Sequence, residues 1–286
     1  MSSVPSTERP PTANLTAIVL AGSRGAADPV AAAAGVSHKA LAPVAGVPML
    51  VRVLETLAAV PRVGRVAVVI ERPGLVLEDP AFAGFLARGT LEVVPAASSP
   101  SRSVLAALEA VPDPFPCLVT TADHPLLTPA MVEHFWTQAP PDADAAVGLA
   151  RAETIRAAHP DTRRTYLRFG DGAWSGCNLF VLRTETALSV VSFWRRVEQD
   201  RKKPWRMIGL LGPGMLLSYV LGRLRLGAAL AALGRRTGTR LAAVEMPFAD
   251  AAVDVDRPDD LALAEAILAR RVTGQVGAPQ GRAATS

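Results

Sequence analysis

Apolar residues fall in short blocks that alternate between two periods. Leu15-Thr16-Ala17-Ile18-Val19-Leu20 has the length and β-branched content of a buried strand. Met49 to Val60 has helical spacing, and Val66 to Ile70 is a continuous apolar run of strand length. The alternation continues through Leu91 to Val94, the helical Ser103 to Ala110, and Cys117 to Thr121, with Pro, Gly or Ser between the blocks. Strand, helix, strand in this order predicts parallel strands with helices on both faces. Ala145 to Ala150, Tyr166 to Phe169, Cys177 to Leu182 and Leu241 to Met246 read as further strands, and Asp259 to Arg271 as a closing helix. Their less regular order predicts that the sheet becomes mixed. Ligands of such sheets bind beyond the carboxyl ends of the strands, which directs attention to Gly22 to Gly25, Pro95 to Ser103, and Asp123.

With 286 residues, 50% of them apolar, the chain is long enough for one sizeable core, and residues 15–273 are expected to form a single domain. Residues 1–14 and 274–286 are small and polar, and are expected to be disordered tails. The first apolar run lacks the form of a secretion signal, so the chain is expected in the cytoplasm. A net charge of +4 arises from scattered arginines without a long basic run interleaved with aromatics, which argues against nucleic acid as a partner. Cys117 and Cys177 have neither zinc-site spacing nor disulfide density and are expected to be reduced core thiols.

The segment 193–240 stands apart as a basic and apolar insertion. It joins Arg195, Arg196, Arg201, Lys202, Lys203 and Arg206 to the apolar stretch Met207 to Gly222. Gly212-Pro213-Gly214 interrupts that stretch, which is too short to span a bilayer. A helical pair covering the sheet or making a homodimer contact is one reading. Docking on a membrane surface is the other, because basic residues, Trp205 and leucines lie together.

Lys39 gives the first segment its chemical character. Of 30 Lys plus Arg, only Lys39, Lys202 and Lys203 are lysines. A compact ammonium soon after a strand and a Gly-containing loop fits a nucleotide phosphate site; an ordinary surface lysine is the plain alternative. Asp123 ends the strand Cys117 to Thr121 two residues on, where a carboxylate can hold a divalent cation or merely shape a turn. Asp254 and Asp256 are expected to close another strand and to share one of its faces, an arrangement that calls for a cation or another positive group between them. Magnesium suits such oxygen ligands, particularly when phosphates complete the shell. Asp259 and Asp260 are explained by the helix N-terminus, and His38 and His124 lack the spacing of a metal pair or triad.

Taken in order, these pieces resemble the MobA-like nucleotidyltransferases, whose relatives include sugar-phosphate and methylerythritol-phosphate cytidylyltransferases. The matching residues are Leu20-Ala21-Gly22, the run from Lys39 through Pro43, Gly46 and Pro48 to Leu50, Asp123-His124-Pro125-Leu126-Leu127, and Asp256-Arg257-Pro258-Asp259-Asp260-Leu261. Arg102-Ser103-Val104 is similar to a segment that frames the nucleotide, with Arg and Ser adjacent here rather than spaced. The first loop also differs, having Ser23 where a second glycine is usual, then Arg24-Gly25.

The resemblance implies an α/β fold, with a mixed, mostly parallel sheet flanked by helices, of the GT-A-like or Rossmann-like nucleotidyltransferase kind. It implies transfer of a nucleoside monophosphate group from CTP or GTP to a phosphorylated small-molecule acceptor, with release of pyrophosphate. Lys39, Arg24 and Asp123 would then be catalytic, with Leu20, Ala21, Gly22, Ser23, Gly25 and Ser103 lining the nucleotide. Mg²⁺ would sit on Asp123 and Asp256, with Asp254 as an alternate or outer ligand, and Asn178 would meet the acceptor, a turn-forming asparagine before a strand being the plain alternative. Two other readings stay open: a non-catalytic nucleotide-binding or membrane-surface regulatory module, and a glycosyltransferase using Asp254-Val255-Asp256 as its metal-binding pair.

Overall fold

The computed structural model describes residues 15–23, 28–162, 164–200 and 212–273. Arg24, Gly25, the segment 201–211 and both expected tails lie outside the described residues. The first strand, β1 (Leu15–Leu20), is followed by helix α1 (Pro29–Ala34), the short hairpin β2 (Pro43–Val44) and β3 (Val47–Pro48), and α2 (Met49–Ala58). Then come β4 (Val63–Ile70), the short helices α3 (Gly74–Leu77) and α4 (Ala83–Ala87), β5 (Leu91–Pro95), α5 (Pro100–Ala110) and β6 (Cys117–Thr121). The second half runs α6 (Pro129–Gln138), β7 (Ala145–Arg151), α7 (Ala152–Ala158), β8 (Leu167–Phe169), β9 (Gly172–Leu182) and α8 (Leu188–Asp200). It closes with α9 (Pro213–Val220), α10 (Leu226–Thr237), β10 (Leu241–Glu245) and α11 (Pro258–Val272).

Eight strands form one sheet in the order β5-β4-β1-β6-β9-β7-β10, with β8 paired to β9. The β5, β4, β1 and β6 neighbours are parallel, as are β7 and β10. β9 runs antiparallel to β6, β7 and β8, so the sheet is mixed and mostly parallel, as the pattern predicts. Successive residues of β1 serve opposite faces. Ala17 and Val19 join a core with α2, α6 and α7, whereas Ile18 packs with Val104, Ala107 and Val191 under α5 and α8. Both faces therefore bury apolar side chains, which is why the strands read as continuous hydrophobic runs. Cys117 and Cys177 are free and buried, and burial pushes both thiols up to about 12.

A third, smaller cluster decides where the functional loops go. Val30 of α1, Ala42, Val44, Met49, Leu126, Val253, Val255, Ala264 and Ile267 pack together at one end of the sheet. It draws the segment after β1, the loop after β6 and the entry to α11 onto one apolar anchor. The expected strand through Asp254 and Asp256 is not formed. A 3₁₀ turn at Ala249–Ala252 leads into a short extended stretch in which Val253 and Val255 are buried. The stretch bonds to the β6 loop through one link, Val255 N–H to the Asp123 carbonyl at 2.9 Å, so it has no ladder to extend.

Within 193–240, α8 lies against α5 and α10 against β10, so part of the segment covers the sheet. Among the described residues, no helix is long and apolar enough to cross a membrane. The turn after α10 depends on a glycine: a Cβ on Gly234 would stand 2.4 Å from the Thr239 carbonyl oxygen. Gly234→Ala is therefore expected to destabilise the protein by about 1–3 kcal/mol through overpacking. An unchanged urea midpoint would contradict that close approach.

Candidate active site

Parallel register brings the ends of three strands side by side. Leu20 pairs with Val69 and with Thr121, and past that level Ala21 N–H donates to the Val69 carbonyl and Ala122 N–H to the Leu20 carbonyl, both at 2.9 Å. Gly22 and Asp123 thus leave neighbouring strands at the same edge. Ser23 N–H donates to the Glu71 carboxylate at 2.8 Å, and a Cβ on Gly22 would lie 3.2 Å from that same oxygen. Leu20, Ala21, Gly22 and Ser23 are therefore at the strand-end position the sequence assigns to them.

Lys39 reaches the same edge by a route that capping explains. Asp28 accepts from Val30 N–H and Ala31 N–H at 3.0 and 3.2 Å, starting α1. Gly35, at φ 66°, ends it in the left-handed conformation. The chain then enters a 3₁₀ turn, Lys39–Leu41, whose Ala40 and following Ala42 are buried. The Lys39 ammonium donates to Asp123 Oδ2 at 2.5 Å and to Asp256 Oδ1 at 2.8 Å. Burial disfavours its charge, but the two carboxylates outweigh burial and hold the ammonium above the ordinary lysine range. The lysine is thus a cation clamped between two acids and not a solvated surface group. Asp123 Oδ1 is buried without a hydrogen-bond partner, an acceptor still open at the centre of the cluster.

Asp254 turns to different partners. Its side chain pairs with Arg164 Nη1 and accepts from Asn178 Nδ2 at 3.2 Å. Arg164 Nη2 also reaches the Asp254 carbonyl at 3.0 Å and Asp260 Oδ1 at 3.2 Å. Burial raises the Asp254 carboxyl above its ordinary value, and Asp123 pushes in the same direction while Arg164 opposes both. Asp260 does more than favour the helix N-terminus. Its Oδ2 accepts from Asp256 N–H at 3.2 Å and Arg257 N–H at 3.0 Å, fixing the backbone that presents Asp256. Among the described residues, no group of three or more His, Cys, Asp and Glu side chains is arranged to hold a metal by protein ligands alone.

Asn178 owes its direction to an irregular strand. It has φ 49° inside β9, where the β7–β9 register shifts between Val147 and Leu149. Such bulges re-aim a side chain, here toward Asp254. Asn178, Asp254, Asp256, Arg164, Arg257 and Leu167 are among the residues lining a cleft of about 310 Å³ beside the Lys39 cluster. Ser103 is mostly engaged elsewhere. Its hydroxyl accepts from Ala97 N–H at 3.0 Å and so braces the loop after β5.

A partly buried network supports the site from behind. Asp250 accepts from His159 Nε2 and from Arg271 Nη2, each at 2.8 Å, and Arg271 also reaches the Leu126 carbonyl in the Asp123 loop at 3.1 Å. Burial alone would raise the Asp250 carboxyl, but the bonds from His159 and Arg271 hold it below its ordinary value. Because the folded value is depressed, its stabilisation is complete above the unfolded value and is lost as pH falls below about 4. Asp250→Asn is expected to cost about 1–3 kcal/mol at neutral pH and to reduce the loss of stability on acidification. Urea midpoints of both proteins at pH 7 and in acid test this, and parallel pH profiles would refute it.

Two site-adjacent residues escape sequence reasoning. Glu71 immediately follows the Val66 to Ile70 run and so carries a signal, being at a strand's carboxyl end. Arg164 carries none, since its partners are 90 and 96 residues away along the chain.

A family model for the MobA-like NTP transferase domain matches residues 17–245. A structure of a hypothetical transferase from Thermus thermophilus is 33% identical, covering 87% of this chain and 99% of that one, with a TM-score of 0.72. A 4-diphosphocytidyl-2C-methyl-D-erythritol synthase from Anaerococcus prevotii shares the fold at 12% identity, over 91% of this chain and 97% of its own, with a TM-score of 0.56. A CMP:2-keto-3-deoxy-manno-octonic acid synthetase complexed with CTP does so at 17% identity, over 90% and 98% respectively, with a TM-score of 0.52. No curated protein matches the chain in sequence.

Proposed function

Because the chain belongs to the MobA-like NTP transferase family, we propose that it transfers a nucleoside monophosphate group from a triphosphate, CTP or GTP, to a phosphorylated small-molecule acceptor. The observation that carries this reading is the Lys39 ammonium held between Asp123 and Asp256 at the sheet edge where β1 ends. Triphosphate would enter over Leu20 to Ser23, and Ser103 would fix the loop after β5 beside it. Arg24 and Gly25 of the first loop belong to the same proposed phosphate contact. Lys39 would exchange its carboxylates for phosphate oxygens and neutralise charge that develops at the α-phosphate.

The oxygen-only donor set and the open, buried Asp123 Oδ1 fit a magnesium ion on Asp123 and Asp256, with Asp254 as an outer partner. Bound there, the ion would supply Lewis-acid neutralisation of phosphate oxygens. Asn178 and the cleft around it would orient the acceptor, with Arg257 placed to meet its phosphate. An acceptor oxygen then bonds to the α-phosphorus while the bond to the β-phosphate oxygen breaks, and pyrophosphate leaves with that electron pair. No covalent enzyme intermediate is required, since positioning and charge neutralisation supply the catalysis.

The test is pyrophosphate release with Mg²⁺ from CTP, GTP, ATP and UTP across a panel of phosphorylated acceptors. Release with CTP or GTP and one acceptor supports the assignment. Triphosphates that bind but never release pyrophosphate would favour the binding-module reading.

A further inference from the structure

The cleft that holds Asn178 and Asp254 is lined mostly by polar residues, with one exposed apolar side chain on the β8 side. Leu167 lines it and is 46% exposed. Two residues along β8, Phe169 meets Tyr219 of α9 edge-to-face at 5.8 Å between ring centroids. Gly170 N–H donates to the Leu224 carbonyl at 2.8 Å, tying the β8–β9 turn to the end of α9. The rim of the cleft is therefore joined to α9 by direct contacts.

That helix presents an apolar face to solvent. Leu217, Val220 and Leu221 are 59%, 73% and 55% exposed, at the i, i+3, i+4 spacing of one helical stripe. From Gly212 to Gly222 there is no charged residue. The chain then continues with exposed Arg223 and Arg225, and Arg168 is exposed on β8. No Asp or Glu occurs anywhere between Gly212 and Arg240, although Asp and Glu total 26 in the chain. A face for a second copy of the chain would gain from charges of both signs at its rim. Here Arg168, Arg223 and Arg225 outnumber the one acid beside them, Asp171, whose carboxylate is taken up by Leu226 N–H at 3.0 Å, so the rim around exposed leucine and valine is net positive, the combination that complements an anionic lipid surface.

We infer that α9 and the adjoining arginines dock on an anionic phospholipid bilayer, setting the mouth of the acceptor cleft against the membrane. This rests on the transferase reading only for calling the cleft an acceptor site. The apolar stripe enters the headgroup boundary and the arginines meet lipid phosphates. Attachment is reversible and weakens with salt.

The full chain is mixed with vesicles of phosphatidylcholine alone and with vesicles of phosphatidylcholine and phosphatidylglycerol in equal parts, and bound protein is measured by flotation. Binding to the anionic vesicles is expected, with Leu217→Glu plus Val220→Glu lowering the partition coefficient by about tenfold or more. Arg223→Ala and Arg225→Ala should each lower it by about fivefold. Calorimetric titration with triphosphate, unchanged in all these variants, shows that they fold and separates this claim from the transferase assignment. Nucleotide binding without vesicle binding overturns the docking claim alone. A dimer in solution that dissociates in the Leu217→Glu, Val220→Glu variant, with no affinity for anionic vesicles, would assign the face to self-association and overturn it equally.

Discussion

Asp123→Asn is expected to lower the rate of pyrophosphate release by about a thousandfold, with the protein still folded. The substitution keeps the side chain's shape and an oxygen for Lys39 at the end of β6, while removing the charge that sits 2.5 Å from the ammonium. Asp256 still pairs with Lys39 at 2.8 Å, so the ammonium is not left without a counter-charge. The stability cost should therefore stay below the roughly 3–5 kcal/mol of a fully orphaned buried ion. Single-turnover kinetics beside a urea titration separates the two effects. Turnover within a few-fold of the parent would remove Asp123 from the reaction.

The second large effect concerns Lys39. Lys39→Ala is expected to slow turnover by about a hundredfold or more, whereas loss of a solvated lysine changes almost nothing. Its more distinctive consequence is in the nucleotide-free protein. The ammonium holds two carboxylates that would otherwise repel each other, and a divalent ion must compete with it for them. Removing it should increase affinity for Mg²⁺ or Mn²⁺ in the absence of nucleotide, seen as a metal-dependent rise in melting temperature larger than the parent's. A variant that loses activity without gaining metal affinity would show that Lys39 acts on the phosphates and does not compete with a metal ion for the two acids.

The fold was largely legible because its signals are local. β6 covers the run Cys117 to Thr121, and the mixed character of the sheet follows from the irregular order of the second half. Helix α1 was less visible: Pro29 to Ala34 is a short alanine-rich run with little periodicity, and its stability comes from Asp28, Gly35 and packing against α11. The expected strand at Asp254 failed for the opposite reason. Its alternation of valine and aspartate is real, but no neighbouring edge offers a ladder. Lys39 stands out in the sequence because it is the only lysine before Lys202, and Asp123 and Asp256 because they sit next to a strand end and a helix start. That Lys39 would join Asp123 and Asp256, or that Arg164 would take Asp254, depends on residues brought together across 84 to 217 positions of sequence, which no local pattern records.

The most direct test of nucleotidyl transfer is the fate of each phosphorus. The reaction of CTP or GTP with a phosphorylated acceptor and Mg²⁺ is followed by phosphorus NMR, with the α-phosphate of the triphosphate isotopically marked. Nucleotidyl transfer puts the marked phosphorus into a new diphosphate linkage to the acceptor, with one pyrophosphate formed for each linkage. Marked nucleoside monophosphate without a new linkage, or inorganic phosphate with nucleoside diphosphate, would show hydrolysis in place of transfer and contradict it.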